Sequence, residues 1–272
     1  MPFTTAVRET FQSSSPALGF WLTLPSAGLV KTILHGPSGL DSRFTWVLVD
    51  AEHGLITDRD YYELCNAIGS EGASPIVRVP FAEEWMIKRA LDAGAHGIVT
   101  PMCHSAADAT KIVRASKYPP LGTRGYGPMF APHAFPGVAA GEEYDEGSQH
   151  AVTVIVQIES RAGVENVEEI AAVEGIDVLF IGPFDLSKNM GVVRGGQEHE
   201  AAIQRVLKAT HDAGKKAAIF CTDGNDAKER IRQGFDMVSV NTDVGVIRNG
   251  MLGELRVAVG GSAKGASSGG GY

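Results

Sequence analysis

Four short polar stretches in this 272-residue chain hold side chains that could do chemistry. They are Asp50-Ala51-Glu52-His53-Gly54; Arg78, set within Val77-Arg78-Val79-Pro80; Gln157-Ile158-Glu159-Ser160; and Gly182-Pro183-Phe184-Asp185-Leu186-Ser187. Glu159 and Asp185 supply hard oxygen donors suited to one divalent cation, and a pair of carboxylates leaves coordination positions for water and substrate. The bland alternative has Asp185 capping a helix and Glu159 paired with a surface base. Arg78 lies in an otherwise apolar run, where an unpaired guanidinium is too costly to bury, so it must face anions. Those anions are either a structural carboxylate or the oxygen of a developing enolate, which a fixed cation stabilises strongly. His53 follows two acids in a glycine-ended turn; an adjacent carboxylate would fix its tautomer and suit it to proton transfer near neutral pH.

Such residues need elements to bring them together. Apolar, β-branched runs predict strands at Leu18–Leu24, Thr45–Val49, Pro75–Val79, Gly97–Pro101, Val152–Gln157, Val178–Ile181, Ala217–Cys221 and Met237–Val240. Between them, amphipathic stretches predict helices at Asp60–Ser70, Glu83–Ala93, Ala106–Ser116, Val164–Val173, Glu198–Ala213 and Ala227–Gln233. Several strands are apolar throughout, as strands covered on both faces must be. Strand and helix alternate, and no glycine-rich dinucleotide turn follows the first strand. The pattern therefore favours a closed TIM (β/α)₈ barrel, an α/β fold, over an open doubly wound sheet. In such a barrel the four polar stretches all fall at the C-terminal ends of strands, on one mouth. Residues 1–259 are expected to form one catalytic domain, since about 250 residues make one barrel. The segment Gly122–Gln149 reads as long and irregular, and residues 260–272 as a flexible Gly/Ser-rich tail.

The formal charge of −8 argues against nucleic acid or an anionic membrane surface as partner. The three cysteines, Cys65, Cys103 and Cys221, are sparse and without metal-site spacing, which fits reduced thiols in a reducing compartment. With no secretory h-region and no apolar run approaching about 18 residues, the expectation is a soluble cytoplasmic protein. The other seven histidines form no ligand spacing. Gly122-Thr123-Arg124-Gly125-Tyr126-Gly127 lacks the ending of a phosphate loop, and no serine sits in a nucleophile elbow. No lysine is placed at a strand end for a Schiff base, because Lys215 and Lys216 precede the seventh strand.

The chain resembles the HpcH/HpaI aldolase family, metal-dependent class II pyruvate aldolases on a TIM barrel of the phosphoenolpyruvate/pyruvate type. The matching stretches are Gly19-Phe20-Trp21, Asp50 to Gly54, Val77 to Pro80, Ala90-Leu91-Asp92-Ala93-Gly94-Ala95 with Pro101, Tyr118 to Gly125, Gln157 to Glu159, and Phe180 to Ser187. The resemblance implies that Glu159 and Asp185 hold Mg²⁺, Mn²⁺ or Co²⁺, and that Gln157, Trp21, Gly182, Pro183 and Phe184 bind substrate. Amides around Phe184 and Asp185 would take the pyruvate carboxylate at a helix start. Arg78 would stabilise the enolate oxygen, and His53, steered by Asp50, would handle the proton through a water. Asp92 would reach a neighbouring subunit's site, in a homo-oligomer that is typically a hexamer with exchanged C-terminal helices. The reaction so implied is reversible cleavage of a 4-hydroxy-2-oxo acid to pyruvate and an aldehyde, with metal replacing the missing Schiff-base lysine. Oxaloacetate decarboxylation, and the chemistry of the macrophomate-synthase branch, use the same enolate; in that branch Tyr144 would lie near the mouth. A binding barrel without catalysis is disfavoured, because each expected catalytic position is filled.

Overall fold

The computed structural model describes residues 3–13, 15–35 and 42–261. Its strands are β1 (Ala17–Leu22), β2 (Trp46–Asp50), β3 (Ser74–Arg78), β4 (Gly97–Thr100), β5 (Thr153–Ile158), β6 (Val178–Ile181), β7 (Lys216–Ile219) and β8 (Met237–Thr242). All pair in parallel in chain order, and β8 closes on β1. Every strand bound lies within two residues of the apolar run that predicts it.

Side chains on a strand alternate between its faces, so each strand divides its residues between two cores. The inward set, with Trp21, Trp46, Leu48, Ile76, Val99, Ile155, Val178, Phe180, Ala218 and Met237, fills the barrel. The outward set, with Val47, Val49, Val77, Ile98, Val154, Val156, Leu179 and Ile181, packs under the helices. Following the inward register upward carries Leu48 to Asp50, Ile76 to Arg78, Ile155 to Gln157 and then Glu159, and Phe180 to Gly182. The polar mouth is therefore the top layer of the barrel's own packing. Near the floor, Gly19 stands opposite Trp46 in the β1–β2 register, and a Cβ there would overlap the indole. Trp46 uses that space to donate from Nε1 to the Ala17 carbonyl at 3.0 Å. A short helix, Ala6–Gln12, plugs the N-terminal end with Val7, whose amide donates to Ser74 Oγ at 3.0 Å.

Helices form at Tyr61–Ser70, Glu84–Asp92, Ala106–Ser116, Gln197–Asp212 and Gly224–Gln233, as the periodicity predicts. The helix expected over 164–173 is instead two short ones, Arg161–Glu165 and Val167–Ala171. They break at Asn166, whose side-chain amide donates to the His104 carbonyl at 2.8 Å. Three helices of eight or more residues escape the sequence reading, Ala27–Leu34, Glu142–Ala151 and Asp243–Ala258, while the helix start expected around Phe184 and Asp185 opens Pro183–Met190. The second corrects the expectation of an irregular Gly122–Gln149 segment, which also holds a 3₁₀ turn at Ala131–Ala134. Tyr144 is not at the mouth. It sits on the helix that leads into β5, at the barrel's opposite end, fully buried against Phe3 and Phe135 with ring centroids 6.1 and 5.5 Å away. Its phenol ring gains more from that aromatic pocket than from an exposed loop.

The three cysteines are free and buried, and burial pushes the Cys103 thiol up to about 12. Among the described residues no helix is long and apolar enough to cross a membrane. The tail expected to be flexible falls, from residue 262 on, outside the described residues.

Candidate active site

Asp50 and Arg78 end neighbouring strands and stand opposite each other in the β2–β3 register. The guanidinium is held on three sides. Nε and Nη2 donate to the two oxygens of Asp50 at 2.9 and 2.8 Å, and Nη1 lies 2.8 Å from Glu52 Oε2. Beneath it the Trp21 ring centroid is 4.3 Å from Cζ. Arg78 and Asp50 are 1% and 0% exposed, so this cation is desolvated and its direction fixed by a two-pronged pair. Trp21 is likewise buried, edge-on to Phe180 and Phe220, and supports Arg78 from below.

The turn after β2 is organised by the same carboxylate. Asp50 Oδ1 accepts the backbone amides of Glu52 at 3.1 Å and His53 at 3.3 Å. Asp50 thus reaches His53 through the backbone of the turn, with its oxygens committed to Arg78. His53 Nε2 lies 3.7 Å from Glu52 Oε1, and the imidazole is exposed at the mouth. Glu52 therefore stands between the imidazole and Arg78. Burial raises its carboxyl above the ordinary range, against the pull of Arg78 and His53 and with the push of Asp50 and Asp185.

Across the mouth, β5 carries Gln157 and Glu159, both 2% exposed. Gln157 Nε2 donates to Glu159 Oε2 at 2.5 Å, and the Met102 amide donates to Oε1 at 2.9 Å. Met102 is the one non-glycine among the described residues with positive φ, at 55°. That left-handed turn aims its amide at the carboxylate. Gly182 completes the cradle: a Cβ there would overlap both Glu159 Oε2 and Gln157 Nε2. Burial pushes the Glu159 carboxyl up to about 7; the Met102 amide and Arg78 oppose this, and Glu52 and Asp185 add to it.

Asp185 is in the first turn of the helix Pro183–Met190, exposed, and electrostatically coupled to both glutamates. Proline at N1 suits the start of this helix, and Gly182 at the N-cap brings no side chain to cover its first amides. The donor set fits a hard divalent cation on two counts. The Asp185 charge raises the cost of ionising Glu159, which a cation would relieve, and the buried Oε1 of Gln157 has no hydrogen-bond partner. Among the described residues no group of three or more His, Cys, Asp or Glu side chains is placed to enclose an ion, so a pair of carboxylates would hold it openly.

One expected residue is not brought to this mouth. Asp92 ends the helix Glu84–Asp92, which descends from β3 to the N-terminal end of the barrel, and there pairs with Arg124 Nη2 at 2.7 Å. Arg124 is buried and lies over the Tyr118 ring, 4.4 Å from its centroid. Two further buried residues were missed. Asp243 accepts from Thr23 Oγ1 at 2.6 Å and from the Thr23 and Leu24 amides at 2.9 and 3.0 Å, tying the end of β1 to the end of β8. His199 bridges the loop after the Pro183–Met190 helix to the Pro183 carbonyl. The only sequence sign of either is a polar residue amid helical apolar spacing.

Fold and mouth together define a closed (β/α)₈ barrel whose strand ends bear a carboxylate pair, a clamped guanidinium and an exposed imidazole. The chain belongs to the HpcH/HpaI aldolase/citrate lyase family, whose pattern matches residues 18–250. It is 35% identical over 261 residues to a hydroxypyruvate/pyruvate aldolase of Agrobacterium fabrum, covering 94% of each chain. It is also 35% identical over 248 residues to a 2-dehydro-3,6-dideoxy-6-sulfogluconate aldolase of Pseudomonas putida, covering 90% of this chain and 93% of that one. Among solved structures, an HpcH/HpaI aldolase/citrate lyase family protein from Burkholderia cenocepacia superposes with a TM-score of 0.84 at 32% identity, over 93% of this chain and 98% of the other.

Proposed function

We propose that this protein is a carbon–carbon lyase, a class II aldolase that reversibly cleaves a 4-hydroxy-2-oxo acid to pyruvate and an aldehyde. The observation that carries this reading is the buried Glu159 carboxylate, cradled by Gln157, Met102 and Gly182 and within electrostatic reach of Asp185, across the mouth from a guanidinium whose direction is fixed. The aldolase names of its relatives agree with it.

Glu159 and Asp185 would hold Mg²⁺, Mn²⁺ or Co²⁺. Such a cation, when bound, supplies Lewis acidity to the 2-oxo acid and orients it. The first turn of the Pro183–Met190 helix receives the carboxylate, since amides at a helix start favour anions. Gln157 lines the pocket beside it. Arg78, already desolvated, needs no reorganisation to meet the negative charge that grows on the enolate oxygen. His53 takes the proton of the C4 hydroxyl as the C3–C4 bond breaks, the enolate carbon then takes up a proton to give pyruvate, and both transfers run backwards in the reverse direction.

Assembly belongs to the same proposal. Asp92 stands at the far end of its own barrel, paired with Arg124, and would serve a neighbour's site, as in a hexamer. The helix Asp243–Ala258 exposes Ile247, Met251 and Leu255 at four-residue spacing, an apolar stripe suited to a second copy. The charge balance and the buried free thiols suit the cytoplasm. The experiment is an aldehyde panel with pyruvate, read by product mass. Chelation should abolish turnover, added Mn²⁺ or Mg²⁺ should restore it, and borohydride with pyruvate should trap nothing. A chelator-resistant protein inactivated by borohydride would overturn the reading.

A further inference from the structure

Two carboxylates stand at the end of β2, and they differ in how much of their bonding is spent. Asp50 is fully committed, accepting from Arg78 Nε and Nη2 and from the amides of Glu52 and His53. Glu52 is held more loosely. Its Oε2 lies 2.8 Å from Arg78 Nη1 and, though buried, accepts no aligned hydrogen bond among the described residues. Its Oε1 lies 3.7 Å from His53 Nε2. One carboxylate thus stands against two cationic groups of different kinds. Arg78 is permanently charged, with a side chain 1% exposed, whereas His53 is 46% exposed and charged only while both ring nitrogens hold protons. The other charges that reach Glu52 are Asp50, on its own strand, and Asp185, across the mouth; both repel it, and Glu52 in turn repels Glu159.

Aldol cleavage and decarboxylation make different demands on these charges. In cleavage the C4 hydroxyl proton passes to the imidazole and the C4–O bond becomes a carbonyl. The C3–C4 electron pair becomes the C2–C3 double bond, and charge collects on the C2 oxygen. A positive charge therefore appears on His53 as a negative one appears on the enolate. Glu52 faces the first and Arg78 the second. When oxaloacetate loses CO₂, the electron pair left on C3 forms the same double bond, and no proton moves in that step. No imidazolium forms, so the charge on Glu52 only weakens the field of Arg78 at the enolate oxygen. Later proton uptake at C3 is common to both reactions.

We propose that Glu52 is a positioning residue, a counter-ion shared between Arg78 and His53 that favours aldol cleavage over decarboxylation. As charge grows on the enolate oxygen it draws on Arg78, and Glu52 turns its field to the imidazolium. A desolvated carboxylate acts strongly at such short range, because little water screens it. The statement about the two reactions rests on the aldolase reading. The statement that Glu52 helps to hold a proton on His53 does not.

The test compares the unaltered full chain with two variants. Glu52→Gln keeps the shape and removes the charge, and Glu52→Asp keeps the charge at shorter reach. The imidazole signal of His53 in proton NMR, identified by its loss in His53→Ala, is titrated with and without Mg²⁺. In Glu52→Gln it should titrate about one pH unit lower, and Glu52→Asp should recover part of that shift. With Mg²⁺ bound, aldol cleavage should fall about 10- to 100-fold in Glu52→Gln, its acid limb moving to lower pH, while oxaloacetate decarboxylation does not fall. An unmoved imidazole titration, or equal losses of both reactions in folded, Mg²⁺-loaded Glu52→Gln protein, overturns the proposal. A lowered titration, partly restored by Glu52→Asp, with no aldol product from any aldehyde would overturn the aldolase reading alone.

Discussion

Arg78 and Asp50 are register partners on adjacent strands, 28 residues apart in sequence, joined by two hydrogen bonds of 2.9 and 2.8 Å in a site from which water is excluded. Removing one member leaves the other charged and buried. Asp50→Ala and Arg78→Ala should each cost about 3–5 kcal/mol in denaturant unfolding. Arg78→Lys should not restore stability, because one ammonium cannot span both Asp50 oxygens and Glu52. Unfolding midpoints of the single variants unchanged from the parent would show that the pair is not formed in solution.

Activity separates Arg78 from His53. Aldol cleavage needs a base for the C4 hydroxyl proton, whereas oxaloacetate loses CO₂ to the same enolate without one. His53→Ala should lower aldol cleavage by on the order of 10²–10⁴ and spare decarboxylation much more. Arg78→Ala should depress both reactions by roughly 10²–10³. Metal content and thermal unfolding, measured alongside, identify any loss due to a collapsed pocket. Equal losses in folded, metal-replete His53→Ala protein would reassign His53 from base to pocket shape.

Met102 holds its left-handed turn, at φ 55°, to keep its amide on Glu159. Glycine accepts that conformation and β-branched residues do not. Met102→Gly should stay within about 1 kcal/mol of the parent, the relief of strain offsetting lost packing and a freer unfolded chain. Met102→Val should destabilise by about 2 kcal/mol or more and weaken Mn²⁺ binding measured by calorimetry. A valine variant as stable and as tightly metallated as the glycine one would dissociate the turn from the site.

His96 gives the fold an acid-sensitive anchor. Its ring stacks on Phe135 at 4.0 Å, Nε2 donates to the Ala134 carbonyl at 2.8 Å, and the residue is 5% exposed. Burial lowers its pKa from 6.5 to about 4, with the Ala134 bond opposing the shift. Between those values the unfolded chain takes up a proton that the folded chain refuses. Stability therefore falls as pH drops through that window, by about 1.4 kcal/mol per unit, and the contribution is spent below about pH 4. His96→Gln keeps a donor for Ala134 and removes the titration. Its unfolding free energy should fall less steeply between pH 6.5 and 4, and a slope equal to the parent's would place the acid sensitivity elsewhere.

Much of this was written in the sequence, because the determinants are local. Apolar runs buried on both faces mark all eight strands, and alternation along each run tells which residues share the barrel interior. Asp50, Arg78, Gln157 and Glu159 follow from that alternation, since each continues an inward apolar series to the top of its strand. The helices that escaped reading, Glu142–Ala151 and Asp243–Ala258, have weak periodicity or a glycine-rich interior. Only packing or a cap settles them, such as the Thr242 side chain accepting the Gly245 amide.

Partnership was decided by the tertiary structure alone. The sequence set Asp50 beside His53, yet barrel register gave its carboxylate to Arg78 and left Glu52 facing the imidazole. It set Asp92 among site motifs, while the length of one helix carried it to the far end of the barrel and onto Arg124. It gave no sign that Met102 would turn left-handed, that Gly182 had to stay bare, or that His199 would hold a loop to Pro183. A strand's period is set by bonds within a few residues. Which carboxylate meets which cation depends on the stagger of eight strands closing on one another, a property of the whole barrel.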